Sequence, residues 1–353
     1  RLLLETSELS PIEFVEQEFR HPAIKAGLLF FNGLREVDLR CKGFGHHIPA
    51  LLASKGRPQM AIGGAAQLAA ALEKVVVDNG GTTLVNAEVE RIEVESNRAT
   101  GVLLKDGRFF RSTVGVASSL NPQQTFVDYL EPKVLSPEWR ERAQTFEYNL
   151  LAPLFGLYLN LSEPVEYAAA ESRPEVREAL MVVLGLEHHK QFYDIVHHHE
   201  AGTLPEPVMW GSSPSVFDPG QAPQGKHTAF LWEKLPFHLN GDPTFWDSYQ
   251  KEHGEKRLEF WKKYAPNLEG ATEHWFTKSA MDCFRDYPNM REGDLLVGSF
   301  QNGQIGYNRP FQGAGQYRTC IDGLYLCGSC CSPGGNVTGL PGYNAAHVML
   351  ADL

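Results

Sequence analysis

No run of apolar residues in this 353-residue sequence approaches the length that spans a bilayer, so no transmembrane helix is expected. Positive charge is scarce as well: 32 Lys and Arg stand against 43 Asp and Glu, a formal net charge of -11. Nucleic-acid binding rests on clustered cations that neutralise phosphates, so a nucleic-acid partner is not expected and a neutral or apolar ligand fits better. Cysteine is limited to six residues, four of them between Cys320 and Cys331, which is not the framework of a small secreted domain. No signal-peptide pattern precedes them, and the expected setting is reducing and cytoplasmic. The strings HExxH, GxSxG and GxxxxGK(S/T) are missing too, which weighs against a zinc peptidase, a serine hydrolase and a P-loop enzyme. The remaining composition, 42% hydrophobic and 21% charged, is that of an ordinary globular protein, long enough for two domains or for one large domain with an insertion.

The opening, "RLLLETSELSPIEFVEQEF", has no initiator Met and reads as the middle of an element, so a piece of a longer product is expected. The pattern up to residue 58 is helical, and Ser10-Pro11 supplies a cap and a first-turn proline for a helix over 12–19. In "GGAAQLAAALEKVVVDNGG", Leu68, Leu72, Val75 and Val76 share one helical face, and Gly80-Gly81 supply the stop. The next 40 residues alternate in polarity, with hairpin signals at Ser96-Asn97 and Asp106-Gly107, and "TVGVASS" from Thr113 to Ser119 reads as a buried strand. From 135 to about 293 the pattern changes to prolines, aromatics, helix-like pieces at 174–199 and 245–264, and the strand-like "LFGLYLNL" and "HTAFLWEKL". Four segments result: 1–58, 59–134, 135–293 and 294–353.

The last segment closes with "DGLYLCGSCCSPGGNVTGLPGYNAAHVMLADL", a strand, a loop of small residues and a helix opened by Pro341. Glycines allow a backbone to approach a ligand, and a helix N-terminus offers unpaired N–H groups to an anion or to an electron-accepting ring. A purely structural crossover needs one or two glycines; Gly328, Gly334, Gly335, Gly339 and Gly342 exceed that need.

"GLYLCGSCCSPGGNVTGLPGYNAA" resembles the C-terminal flavin-binding signature of the phytoene-desaturase-like FAD-dependent oxidoreductases, a family that includes carotenoid desaturases and isomerases, retinol saturase relatives and a branch of unknown substrate. "IGGAAQLAAALEKVVVDNGGTTLVNAEVERIEVESNRATGVLLKDGR", "VASSLNPQQTFVDYL" and "DPGQAPQGKHTAFLW" resemble further parts of that family, so the likeness extends from about Met60 to the end. It implies an α/β (α+β) fold: a partial FAD-binding domain of the flavin amine oxidase and phytoene desaturase type, formed by 59–134 and 294–353, with an inserted mixed-sheet substrate domain over 135–293 to which 1–58 adds helices. It also implies FAD contacts at Val89, Ser118 and Ser119, and along the closing loop at Gly328, Ser329, Gly335, Asn336, Val337, Gly339 and Asn344. The family's N-terminal GxGxxG unit, which binds the ADP half of FAD, has no match here: "GFGHHI" and "GAGQYR" carry Ile48 and Arg318 in place of the third glycine. A separate or missing dinucleotide-binding segment is therefore expected as a partner.

"CGSCC" at Cys327, Cys330 and Cys331 suggests a redox dithiol, but the helix starts about ten residues too late to lower a thiol pKa. The histidines of "EHHKQFYDIVHHHE" read as a solvated helix face rather than metal ligands, since His189 and His197 are two turns apart; no metal site is assigned. Tyr307, Asn308 and Arg309 are weak candidates for lining a reaction centre, against a surface turn. Of the middle segment's aromatics most are core, and some can wall an apolar substrate.

The resulting expectation is an FAD-dependent oxidoreductase, desaturase- or dehydrogenase-like, acting by flavin hydride transfer on an apolar small molecule, polyene or carbonyl-bearing. No catalytic side chain is assigned. The alternatives are a flavin-free module that binds hydrophobic ligands, one subunit of a split flavoenzyme, and a flavin-dependent isomerase; peripheral contact with a membrane is kept open.

Overall fold

The structure, a computed structural model, describes residues 5–33, 38–53, 59–301 and 303–353. Its first helices are α1 (Pro11–Glu18), α2 (Pro22–Gly33), α3 (His47–Ala53) and α4 (Ala66–Asp78). Strands β1 (Val89–Glu95), β2 (Arg98–Leu104), β3 (Phe109–Arg111) and β4 (Val116–Ser118) follow, then α5 (Pro137–Gln144), β5 (Leu154–Leu161) and β6 (Val182–Leu184). After α6 (Gln191–Ala201) come β7 (Met209–Ser212), β8 (His227–Lys234), α7 (Trp246–Lys262), β9 (Thr272–Lys278) and α8 (Ala280–Asp286). The last two elements are β10 (Leu324–Leu326) and α9 (Leu340–Ala351). The chain divides into two compact units, one within residues 1–34, 38–83 and 153–285, the other centred on 84–152 and 286–353. The expected boundary at 58/59 and the first residues of the opening string lie outside the described residues.

In the first unit a five-stranded sheet of order β6-β7-β8-β5-β9 is antiparallel throughout. Alternation along β5 and β8 sends Leu157, Leu159, Leu161, Ala229 and Leu231 to one face, where they pack with Trp261 of α7. Tyr158, Phe230 and Phe276 fall on the opposite face. Helix α1 begins with a reciprocal cap: Ser10 Oγ accepts the Glu13 N–H and Glu13 Oε2 accepts the Ser10 N–H. Helix α4 has its apolar stripe at the expected positions, yet none of its residues is buried.

Two expected elements differ. The helix-like piece at 174–199 is a short 3-10 turn, strand β6 and helix α6, broken where Gly185 takes φ +81° with its Cα against Pro207 O. The expected strand over 113–119 pairs only over Val116–Ser118.

The second unit holds a meander, β1-β2-β3, and a parallel pair, β4 and β10. Ser96 and Asn97 both have positive φ, the geometry of the tight hairpin turn their sequence announces. The core beneath gathers Phe126, Phe146, Phe311, Leu324, Leu326 and Cys330.

Candidate cofactor site

β10 is three fully buried residues, Leu324–Leu326, paired in parallel with β4 by Val116↔Leu324, Ala117↔Tyr325 and Ser118↔Leu326. Where the two strands end, the chains touch: a Cβ on Gly328 would stand 1.9 Å from the Ser119 carbonyl oxygen, so only glycine fits. Ser118 is buried beside it, its Oγ 2.7 Å from Thr125 Oγ1. Beyond Gly328 the loop runs through left-handed backbone at Gly334, Asn336, Val337 and Gly339. Val337 stands out, because a β-branched residue at φ +58° that is 85% exposed gains nothing local from that conformation. Such strain, about 1–3 kcal/mol, is characteristic of ligand clamps.

The loop and the first turn of α9 enclose a cleft of about 240 Å³, lined by Cys327, Gly328, Ser329, Gly335, Val337, Thr338, Gly339, Pro341 and Gly342. It lies at the carboxyl end of β10, the end at which open parallel sheets bind ligands. Gly339 caps α9 with φ +68°, and a Cβ there would meet nothing within 4 Å. Thr338 Oγ1 accepts the Leu340 N–H and donates to Gly335 O, which ties the loop to the helix start. A larger hollow of about 300 Å³ opens at the amino end of β10, but there Arg318 already pairs with Asp352, which also accepts from Tyr325 Oη. Placement and unpaired backbone donors favour the glycine cleft.

Of the residues expected at a cofactor, Gly328, Ser329, Gly335, Val337 and Gly339 come together in this cleft, with Asn336 in the same loop. Ser118 and Ser119 adjoin it through the Gly328 contact. Val89 sits elsewhere, opening β1 opposite Leu104, and Asn344 donates from Nδ2 to Tyr317 Oη at 2.8 Å rather than lining the cleft.

The weak candidates at 307–309 separate. Tyr307 is 73% exposed, whereas Arg309 is fully buried. Its guanidinium donates to the carbonyls of Val297, Gly298, Ser299, Gln304 and Ser329 at 3.1–3.4 Å and lies over the Phe300 ring at 4.1 Å. The bond to Ser329 O joins this packing to the cleft wall. Nearby, buried Asp294 accepts the N–H groups of Asn149, Leu296 and Gly298; burial raises its pKa against those bonds. Neither role is visible in sequence, because a buried Arg surrounded by carbonyls has no spacing signature.

Burial pushes the Cys327 thiol up to about 11, and α9 begins only at Leu340, so this stretch does not generate a reactive thiolate. The histidine stretch is not the solvated face expected: His189 and His199 are buried, and His189 Nε2 lies 3.1 Å from Glu16 Oε1. Among the middle aromatics, Trp210, Trp246 and Trp261 are core. On the second sheet face of the first unit, Phe230, Tyr158 and Phe276 form one cross-strand row, with Tyr158 and Phe276 stacked at 4.9 Å. Trp232 Nε1 donates to Tyr158 Oη, fixing the row's tilt.

No protein-family profile matches the chain. One of the subunits of limonene dehydrogenase from Castellaniella defragrans is 26% identical over 371 residues, 99% of this chain and 66% of that protein. Pyridine nucleotide-disulfide oxidoreductase domain-containing protein 2 of Mus musculus is 27% identical over 87% of this chain and 54% of its own length. A lycopene-forming phytoene desaturase of Pseudescherichia vulneris is 27% identical over 82% of this chain and 56% of its own. The chain thus spans between about half and two thirds of the length of these relatives. Cyclohexylamine oxidase from Brevibacterium oxydans shares the fold, with a TM-score of 0.57 at 12% identity over 99% of this chain and 68% of that one. Among the described residues no helix is long and apolar enough to cross a membrane. The strand, glycine loop and helix at the C-terminus occur in a chain with oxidoreductases among its relatives, and by these likenesses the protein is a distant relative of the phytoene-desaturase-like oxidoreductases.

Proposed function

We propose that the second unit is the flavin-holding part of an FAD-dependent oxidoreductase and that the first unit carries the surface for an apolar substrate. The observation that carries this reading is the glycine cleft at the carboxyl end of the parallel pair, closed by the N-terminus of α9. The residues present fit such a group: a Cβ at Gly339 would project into open space, and one at Gly342 would meet only Cys327 O, at 3.9 Å. A planar or phosphate-bearing ligand can therefore approach the backbone directly. FAD, when bound, supplies two-electron redox chemistry.

The chain's own residues have three tasks. The first-turn N–H groups of α9 offer positive potential to phosphate or to negative charge on a reduced ring. Arg309 holds the Ser329 side of the cleft rigid from below. The row Phe230, Tyr158 and Phe276 offers an aromatic wall suited to a polyene or another apolar molecule.

The test is the visible absorption spectrum of the purified protein and of its supernatant after denaturation. A flavin spectrum at near-stoichiometric amount is expected; a colourless protein that takes up no added FAD overturns the reading. A second reading, one subunit of a split flavoenzyme, is favoured by the absence of a GxGxxG string and by the name of the Castellaniella relative, which is itself one component of a larger enzyme. Light-scattering mass of the purified material separates the two, since a split enzyme co-purifies with a second polypeptide.

A further inference from the structure

The parallel pair has one free edge. The Val116 N–H donates to Gly323 O at 2.7 Å and the Cys327 N–H donates to Ser118 O at 2.8 Å, so residues 116 and 118 direct their backbone groups to β10. By strand alternation Ala117 directs its N–H and C=O to the opposite side. There, among the described residues, no strand pairs with β4, and Ala117 is exposed. The far edge of β10 is occupied, because the Leu326 N–H donates to Tyr317 O and Arg318 bridges Tyr325.

A two-stranded parallel sheet with an open edge is physically incomplete. Parallel sheets occur almost only with both faces covered and with further strands, and an unpaired edge is a template for another chain. The same unit leaves apolar surface uncovered beside it. Helix α9 is apolar on nearly all sides, yet Leu340, Tyr343 and Leu350 are 43%, 62% and 66% exposed, whereas a helix apolar all round is normally buried. Phe109 and Phe110 of β3 are 48% and 39% exposed.

We propose that the β4 edge receives a parallel strand from a dinucleotide-binding unit, a strand, glycine-rich turn and helix lying outside these 353 residues, and that the same unit covers the exposed side of α9. The segment belongs either to the same polypeptide or to a separate one. Three observations select this occupant over a second copy of the chain. Two copies related by a two-fold axis would join their β4 edges antiparallel, which does not continue a parallel sheet. A parallel strand added at β4 ends beside Ser118 and Gly328, so the turn that follows it faces the glycine cleft and completes the crevice at the carboxyl ends of the strands. The relatives, finally, have a third to nearly a half of their length beyond the part this chain matches. The inference rests on the cofactor reading above, since the turn is assigned to the other half of the same ligand.

The experiment uses the protein as its host makes it, with whatever polypeptide accompanies it. A photo-crosslinker is placed on α9 by Leu350→p-benzoylphenylalanine, and the cross-linked peptides are sequenced by mass spectrometry. The expected link is to a segment in which a strand leads into a GxGxxG turn. Ala117→Pro removes the outward N–H and should lower that link at least tenfold, whereas Ala117→Val, which keeps the N–H, should leave it unchanged; circular dichroism of each variant controls for folding. Links to a second copy of the chain, links to a segment without such a turn, no link, or a link indifferent to Ala117→Pro each overturn the proposal. Flavin absorbance on the same sample separates the two readings: flavin without the link overturns the docking alone, and the link without flavin overturns the cofactor assignment alone.

Discussion

The carbonyl oxygen of Ser119 stands 1.9 Å from the point that a Cβ on residue 328 would occupy. The end of β4 and the start of the cofactor loop are thereby held at a spacing that only a missing side chain permits. Gly328→Ala must push backbone against backbone, so it should cost about 3 kcal/mol, at the upper end of overpacking effects. It should also abolish flavin retention, as read by urea unfolding and by absorbance at the flavin band. A variant that unfolds like the parent and keeps its flavin would show that the loop tolerates the shift.

Arg309 makes a different kind of prediction. Its five carbonyl partners lose their donors together in Arg309→Met, and buried unsatisfied acceptors cost about 1–3 kcal/mol each where no water reaches them. The expected result is a large fall in the urea midpoint together with loss of cofactor. Arg309→Lys keeps the charge but not the planar fork, and should recover only part of the midpoint.

The first unit contains a pH-sensitive contact. Burial raises the pKa of Glu233, but the hydrogen bond from His253 at 2.9 Å and the nearby Arg257 guanidinium outweigh it, and the net direction is downward from the ordinary 4.5. A carboxylate whose folded pKa is depressed adds stability above its unfolded pKa and loses it as the pH falls through the folded value. Unfolding free energies of the parent and of Glu233→Gln should therefore differ most at neutral pH and converge below about pH 4. A gap that persists unchanged into acid would place the effect of the substitution in packing instead.

The aromatic row predicts a split between binding and stability. Phe276 is 48% exposed, so Phe276→Ala should change the unfolding midpoint little. If the row is the substrate wall, the same substitution should weaken binding of a fluorescent polyene about tenfold, the equivalent of about 1.4 kcal/mol of lost apolar contact. Equal binding by both proteins would remove the row from the substrate surface.

Legibility in the sequence followed the range of the interactions. The Ser10 cap, the Ser96-Asn97 turn and the alternation of "LFGLYLNL" are local, and each element formed where its residues placed it. The closing loop was legible because its glycines answer a local demand, close approach and left-handed backbone, at Gly328, Gly334 and Gly339. The piece at 174–199 was misread since Gly185 breaks it through a contact with Pro207, twenty-odd residues away. The burial of His189 depends on Glu16, and that of Arg309 on carbonyls from two distant loops. Contacts of that reach leave no periodicity in the chain.

Helix α4 shows Leu68, Leu72, Val75, Val76 and Val77 to water, each at least 42% exposed. That stripe makes solubility a matter of timing. A newly made chain carrying it offers chaperone holdases a surface as attractive as any partner's, and its lifetime in the cell depends on how soon something covers the stripe. Produced alone at high concentration, the chain should associate with itself, more strongly in sulfate and less strongly in mild urea.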